Sequence, residues 1–286
     1  MYGKFLSPKN NVAFKKIFGM EEHKGLLIHF LNGVLDLEGD KCIEQVDFIN
    51  PVQAPRLFGY KQSVVDILCK DHRNIRYIVE MQVTQKPGFE QRAQYYAAKA
   101  YVGQLERSEN YPRLNQVIFL AITDHILFPN KPHYKSAHIT LDRESHEHDL
   151  KDFFFTFIEL PKFNLQEHEL ETIEQKWIYF LKYADKTTEI PRVFQGTPIE
   201  EAYHVLEHYL WSEGEMLSYE DAALAIIDSE NAVQVGRDEG RAEGLAAGQH
   251  LAKIEMAKKL MALEMDIKQI ELITGLSSNE LNTIPL

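Results

Sequence analysis

The chain has 286 residues, of which 44% are hydrophobic, and a formal net charge of −12, which provides enough apolar material for one or two globular domains. No segment approaches the roughly 18 uninterrupted apolar residues of a membrane span, and no apolar leader opens the sequence, so we expect a cytoplasmic protein without membrane association. Cys42 and Cys69 lack CxxC spacing, which argues against a disulfide framework or a structural zinc site.

The negative charge is concentrated in the second part of the chain. Residues 1–113 carry 16 Lys+Arg against 13 Asp+Glu, a net charge of +3, whereas residues 114–286 carry 15 against 30, a net charge of −15. The first part is therefore able to face a phosphate backbone. The alternative interpretation is that bacterial proteins are commonly acidic and that the acidic residues are distributed unevenly between the two parts by chance.

The first part of the chain alternates helix and strand signals. Residues 7–18 predict a short helix, with Ser7 as N-cap and Pro8 in the first turn. Apolar, β-branched runs at residues 43–49, 63–69 and 75–83 then predict a β-meander.

A helix and three further strands follow the meander. Alanine and tyrosine recur at three- and four-residue steps through residues 89–107, which predicts a helix. The continuous apolar run at residues 116–123 is typical of a buried strand covered on both faces. Residues 137–141 and 152–160 add two more strands, and Pro161 ends the second of them.

Helix signals dominate the chain from Glu169 onward. They include a long tract over residues 219–265 and a helical hairpin over residues 266–281 that we expect to pack on the long helix or on a partner. We therefore predict an α/β domain at residues 1–162 and a helical C-terminal region at residues 163–286.

Four glycines recur at every fourth position of the long helical tract. One glycine per turn on nearly the same face favours a seam where two helices approach closely, and hence a homo-oligomer formed through the C-terminal region. A weakly helical linker expanded by repetition is the alternative. The four residues are Gly236, Gly240, Gly244 and Gly248.

Two carboxylates are predicted to meet on the meander. Glu80 and Gln82 share one face of the third strand, because side chains alternate along a strand. If the turn before that strand has an odd number of residues, such as 72–74, Asp66 lies directly opposite Glu80. An even turn would place the two carboxylates on opposite faces.

Paired carboxylates beside an amide are the oxygen ligands that a hard cation such as Mg²⁺ prefers. Such a cation would also offset the repulsion between Asp66 and Glu80 and activate a water for attack on a phosphate. The pattern is weak by itself, and the two acids are equally compatible with the solvent face of a half-exposed sheet.

The chain resembles the PD-(D/E)XK nuclease superfamily, and within it the transposase branch of recombination-promoting nucleases, the Rpn family. The likeness extends over most of the chain, because the glycine-spaced tail and residues 270–277 also resemble that branch. It is carried by residues 7–11 (SPKNN) with Phe14, Lys15, Phe18 and Gly19, by Asp66 with residues 80–82 (EMQ), and by residues 92–99 (RAQYYAAK) with Tyr111.

The resemblance implies a restriction-endonuclease-like core, a mixed β-sheet flanked by helices, in which Asp66 and Glu80 bind the metal. Gln82 occupies the position of the superfamily's lysine, so the site has lost a cation there and retains an amide that orients the water. Lys99 is a candidate for the missing charge, with an exposed helix lysine as the alternative. Asn11 stands where the branch often has aspartate, which removes a third acidic ligand.

Three further residues complete the predicted site: Arg92, Tyr95 and Lys15, as phosphate-contacting or supporting side chains. The leading hypothesis is a DNA endonuclease dependent on Mg²⁺, or on Mn²⁺ or Ca²⁺, that acts in transposase-associated DNA recombination. The alternative is a non-catalytic DNA-binding or self-associating protein that retains the nuclease fold. RNA is also a possible substrate, because a metal site of this kind contacts the phosphate and not the sugar.

Overall fold

The computed structural model describes residues 3–53, 63–105, 111 and 114–284. The chain divides into two compact units, Met1–Ile226 and Ile227–Leu286, and each is described by itself.

The first unit contains helices on both sides of a β-sheet. Its α-helices are α1 (Asn11–Phe18), α2 (Lys24–Val34), α3 (Phe89–Val102), α4 (Ile173–Tyr183), α5 (Pro198–Val205) and the beginning of α6 (Glu213–Ala262). Its strands are β1 (Val46–Phe48), β2 (Val52–Gln53), β3 (Ser63–Val64), β4 (Ile67–Asp71), β5 (Arg76–Gln82), β6 (Val117–Thr123), β7 (Lys135–His138) and β8 (Phe153–Glu159).

Six strands form one mixed sheet in the order β1-β4-β5-β6-β8-β7. The pairs β1–β4, β4–β5 and β7–β8 are antiparallel, whereas β5–β6 and β6–β8 are parallel. Helix α3 makes the crossover from β5 to β6, and β6 lies in the interior, as its continuous apolar sequence predicts. The predicted mixed sheet flanked by helices is confirmed.

Each face of the sheet is covered by a separate core. On one face, Ala93 and Ala97 of α3 pack against Ile78 of β5 and Phe119 of β6. On the other face, the strand residues pack against helices α1, α2, α4 and α5, with Trp177 of α4 fully buried. Glu80 follows Ile78 by two positions, so it lies on the α3 side of the sheet.

The opening helix begins later than the sequence predicts. Its N-cap is Asn10 and not Ser7: the Asn10 side chain accepts a hydrogen bond from the amide of Val12 at 2.9 Å. The same side chain donates to the main-chain carbonyl of Tyr219 at 3.0 Å, which anchors the helix to α6. Pro8 therefore precedes the helix, and Asn11 is its exposed first residue.

Two other predicted elements have different limits. Helix α3 ends at Val102 and not at Arg107, since the amide of Gly103 caps it by donating to Lys99 O; Arg107 itself lies outside the described residues. Strand β7 is Lys135–His138, earlier than the predicted 137–141, because it pairs with β8 in the register Lys135↔Ile158.

The helices that follow residue 162 share the core of the first unit. Trp177 of α4 packs against Phe18 of α1 and Phe30 of α2, with ring centroids 5.5 Å apart in both pairs. Tyr203 of α5 is also fully buried in this core. The compact unit consequently extends to Ile226, while a division of function at residue 162 stays a prediction.

The second unit is a helical hairpin on the end of α6. Helices α7 (Ile267–Thr274) and α8 (Ser278–Thr283) bury Ile270 and Leu281 against Ala257 of α6, as expected for the predicted hairpin. Gly275 ends α7 with a φ of 67°, the left-handed conformation that glycine adopts at no steric cost. Within the described residues, no helix has the length and apolar content needed to cross a lipid bilayer.

Candidate active site

The register of the β4–β5 hairpin brings Asp66 and Glu80 together. Leu68 pairs with Ile78 and Ile67 with Val79, which confirms the predicted odd-turn register and places Asp66 opposite Glu80. Asp66 lies in the bend just before β4 and not within the strand. Its main-chain amide donates to Glu80 Oε1 at 3.2 Å, and its own carboxylate oxygen Oδ2 accepts from the amide of Met81 at 2.9 Å.

Both carboxyl groups are largely withdrawn from water. Glu80 is 4% exposed, and burial, followed by the charge of Asp66, raises the pKa of Glu80 to about 8. Burial also raises the pKa of Asp66, opposed first by the Met81 amide and then by Lys15. Because both pKa values are raised, the pair carries less positive compensation than two ionised carboxylates require.

The Gln82 side chain links Glu80 to Arg92. Its Nε2 donates to Glu80 Oε2 at 2.8 Å and to Met81 O at 3.2 Å. Its Oε1 accepts from Nη2 of Arg92 at 2.5 Å. Since a guanidinium group has no acceptor, the amide oxygen must face Arg92, and this fixes the amide nitrogen toward Glu80.

The two cations that act on the carboxylates come from different helices. Arg92 is in the first turn of α3, with its guanidinium 4.9 Å from the centroid of the Phe89 ring. Lys15 of α1 places Nζ 3.4 Å from Asp66 Oδ1. Both charges lower the pKa values of Asp66 and Glu80 against the effect of burial. The site is therefore bounded by a cation on either side.

The remaining predicted site residues lie further along α3. Lys99 places Nζ 5.5 Å from the centroid of the Tyr95 ring, and both line an open cavity with Arg76 and Leu68. Tyr95 is 43% exposed. This placement favours Lys15 over Lys99 as the cation nearest to the carboxylates.

Tyr96 is a neighbour of the site that the sequence analysis did not select. Burial raises its pKa, Arg92 lowers it, and Glu80 and Asp66 raise it further, so its hydroxyl lies within electrostatic reach of the whole group. The sequence indicates this neighbour only through its spacing, because Tyr96 follows Arg92 by one helical turn and so lies on the same face of α3.

The donor set fits a hard divalent cation. Asp66 and Glu80 offer oxygen ligands, and no group of three or more His, Cys, Asp or Glu suited to a metal occurs among the described residues. Mg²⁺ retains several waters and needs one or two carboxylates together with substrate phosphate, whereas a closed structural zinc site needs four protein ligands. The two carboxylates are the residues that would hold such an ion.

A mixed sheet between helices, with an Asp–Glu pair and an amide at the open end of one β-hairpin, defines the class: a PD-(D/E)XK nuclease core. The chain belongs to the PD-(D/E)XK nuclease family transposases, whose family model matches residues 8–236. The match runs from the residues before α1 into α6 and so includes every predicted site residue from Lys15 to Lys99. No curated protein and no solved structure matched the chain.

Proposed function

We propose that the protein is a Mg²⁺-dependent endonuclease that hydrolyses phosphodiester bonds of DNA in transposase-associated recombination. The observation that supports this proposal most is the convergence of Asp66 and Glu80 in a partly closed site of a nuclease-family fold. Mn²⁺ and Ca²⁺ offer the same hard-ligand chemistry and are the other candidate ions.

Asp66 and Glu80 are assigned to hold the cation through their carboxylate oxygens. A bound Mg²⁺ lowers the pKa of its water and offsets charge on the phosphate. Gln82 positions Glu80, because its nitrogen is bound to that carboxylate and its oxygen to Arg92. In this arrangement Gln82 orients the attacking water through Glu80 and not by direct contact.

Arg92, Tyr95 and Lys99 are assigned to the DNA on either side of the cleaved bond. Arg92 is beside the carboxylates, and Lys99 follows it by seven residues, about 10 Å along a helix axis. Phosphates of one DNA strand recur about every 3.4 Å along the duplex axis, so this distance spans about three of them. Tyr95, exposed between them, offers an aromatic face and a hydroxyl.

The direct test is nicking of supercoiled plasmid in Mg²⁺ by the wild type, Asp66→Asn and Glu80→Gln. Asp47→Asn, on the exposed side of β1, is the matched control for loss of one acid. We expect nicking by the wild type and the control, inhibition by EDTA, and loss of at least a hundredfold in the two site variants. Equal nicking by wild type and Asp66→Asn would contradict the proposal. An RNA of the same sequence, tested in parallel, decides between DNA and RNA.

A second candidate function is a non-catalytic DNA-binding or self-associating protein. It is favoured by Gln82, which puts an uncharged amide at the position of the superfamily's lysine. It is also favoured by apolar side chains exposed on α6, such as Leu245 and Leu251. Apart from the backbone of α6 itself, no atom of the described residues lies within 4 Å of a Cβ built on Gly240 or Gly244, so a second helix has room to approach there. This candidate predicts EDTA-insensitive DNA binding without nicking, and a homo-oligomer in light scattering that Gly240→Leu disrupts.

A further inference from the structure

Lys15 is held beside the carboxylates by a rigid helix. The buried side chains of Phe14, Ile17 and Phe18 fix α1 in the core, and the Asn10 cap fixes its first turn. The Lys15 side chain leaves this helix toward the site and is 39% exposed. Its ammonium group therefore reaches both Asp66 and solvent.

The contact between Lys15 and Asp66 is a loose one. At 3.4 Å it is longer than the 2.7–2.9 Å of a close charge-assisted hydrogen bond. Among the described residues, Asp66 is the acceptor paired with this ammonium, which has three hydrogens to donate. The arrangement leaves Lys15 with donor capacity at the place where a phosphate would meet the carboxylates.

The next residue of α1, Lys16, is a lysine whose side chain is engaged in structural contacts. Lys16 forms an ion pair with Glu215, and its Nζ lies 4.3 Å from the centroid of the Trp211 ring. Lys16 thus joins α1 to the segment that leads into α6. The two adjacent lysines differ in surroundings, one structural and one facing the candidate site.

Arg92 has part of its donor capacity committed within the site. Its Nη2 is bound to Gln82, and its guanidinium lies over the Phe89 ring. Gln82 has no charge to offer, because an amide is neutral at every physiological pH. Lys15 of α1, which is paired with Asp66, is therefore the cation placed to meet a phosphate on the Asp66 side.

We propose that Lys15 is a catalytic residue that contacts a non-bridging oxygen of the scissile phosphate, supplying the charge that Gln82 lacks. This inference rests on the proposed nuclease function. As the water oxygen bonds to phosphorus, the bond from phosphorus to the leaving sugar oxygen breaks. The water releases a proton to solvent and the leaving oxygen takes one up. Lys15 takes no part in these proton transfers and stabilises the charge on the phosphoryl oxygens.

The alternative role for Lys15 is structural neutralisation of Asp66, and metal affinity separates the two roles. A cation beside Asp66 competes with a divalent ion for the same carboxylate. Its removal should therefore leave Mn²⁺ affinity equal or higher. Cleavage should fall if Lys15 contacts the phosphate, and should not fall if its role is confined to Asp66.

The test compares Lys15→Met, Lys15→Arg and the adjacent control Lys16→Met. The measurements are single-turnover cleavage of a DNA duplex in Mg²⁺, calorimetric Mn²⁺ affinity without DNA, and affinity for the same duplex in Ca²⁺. We expect Lys15→Met to cleave about a hundredfold more slowly with Mn²⁺ affinity not reduced. Lys15→Arg should recover at least about tenfold of this loss, and Lys16→Met should cleave within about threefold of the wild type.

Cleavage by Lys15→Met within threefold of an active wild type would overturn the inference and leave the nuclease function standing. The inference would also be overturned if Lys15→Met bound Mn²⁺ more weakly and Lys15→Arg did not restore cleavage, since these two results together indicate a structural role for Lys15. If the wild type itself fails to cleave, the proposed function is wrong. The affinity of Lys15→Met for DNA in Ca²⁺ then decides. If Lys15→Met binds DNA as tightly as Lys16→Met, the phosphate contact is overturned; if it binds several-fold more weakly, the contact is supported.

Discussion

Asp66 and Glu80 are each held by a backbone amide across the β4–β5 pair: the amide of Asp66 donates to the Glu80 carboxylate, and the amide of Met81, next to Glu80, donates to the Asp66 carboxylate. The positions of both acids therefore depend on the β4–β5 register more than on side-chain rotamers. Two neutral amides compensate two negative charges incompletely. The same reciprocal bonds thus preorganise the pair for a cation and make the cation-free pair costly.

The first prediction concerns Glu80 in the cation-free protein. Its pKa in the fold is about 8, against an ordinary value of 4.5. Between these pH values the carboxyl stays protonated in the fold but is ionised in the unfolded chain, so the folded state loses stability as pH rises. Glu80→Gln removes this loss. In EDTA, we expect the variant to match the wild type in Tm near pH 4 and to exceed it increasingly up to pH 8.

Differential scanning fluorimetry across that pH range makes the comparison, with Glu44→Gln as an exposed acid control. The control should follow the wild type at each pH. A Glu80→Gln effect that is the same at pH 5 and pH 8 would show that desolvation of this carboxyl does not govern the pH dependence.

The second prediction concerns stabilisation by a divalent cation. An ion that binds the fold and not the unfolded chain adds about 2.7 kcal/mol when its concentration is a hundred times Kd. We expect Mn²⁺ to raise the Tm of the wild type and of Asp47→Asn, because both retain the carboxylate pair. Asp66→Asn and Glu80→Gln should gain little. An equal gain in Asp66→Asn would place the ion elsewhere.

The third prediction tests the link from Arg92 through Gln82 to Glu80. Gln82→Met removes the amide, and Arg92→Met releases the amide oxygen, so either change frees Glu80 from the same restraint. We expect each single variant to lose about tenfold in cleavage, and the double variant to lose little more, because coupled residues are not additive. A double variant that loses the product of the two effects would mean that the residues act independently.

Strand periodicity with an odd turn predicts that Asp66 and Glu80 converge, and the register confirms this convergence, whereas their role as metal ligands was implied by the family resemblance and stays a prediction. Alternation of side chains and an odd turn place Asp66 opposite Glu80, and both are local properties of one hairpin. The predicted helix after the hairpin also needs local spacing alone. In contrast, Lys15 reaches Asp66 through the packing of α1, 51 residues earlier in the chain. No local sequence pattern predicts this contact between Lys15 and Asp66.

The other errors have the same origin in tertiary contacts. Ser7 and Asn10 are both good N-caps, and Asn10 is chosen because its amide also meets Tyr219 of α6. Helix α2 was not predicted, and its glycines weaken the helical signal. One of them, Gly33, has a packing reason, since a Cβ there would lie 2.6 Å from Ile173 of α4.

The last prediction concerns the buried ion pair at the end of β8. Lys162 donates to Glu159 at 2.6 Å, with side chains 9% and 1% exposed. Two backbone amides, those of Leu127 and Phe128, also donate to Glu159. Lys162→Met leaves a buried carboxylate without its cation, and we expect it to lower the free energy of unfolding by about 3 kcal/mol. The loss should appear in urea denaturation at neutral pH.

The matched control is Lys24→Met, which breaks an ion pair with Glu21 at the same spacing of three residues. That pair is far more accessible, with side chains 29% and 70% exposed, so its loss should cost less than about 1 kcal/mol. Each substitution removes a lysine from a pair of the same spacing together with one further contact, that of Lys24 with the Phe48 ring or of Lys162 with Phe128 O, and the two pairs differ chiefly in burial. Similar costs for Lys162→Met and Lys24→Met would therefore mean that desolvation of Glu159 is already offset by the two backbone amides, and that the cation adds little to them.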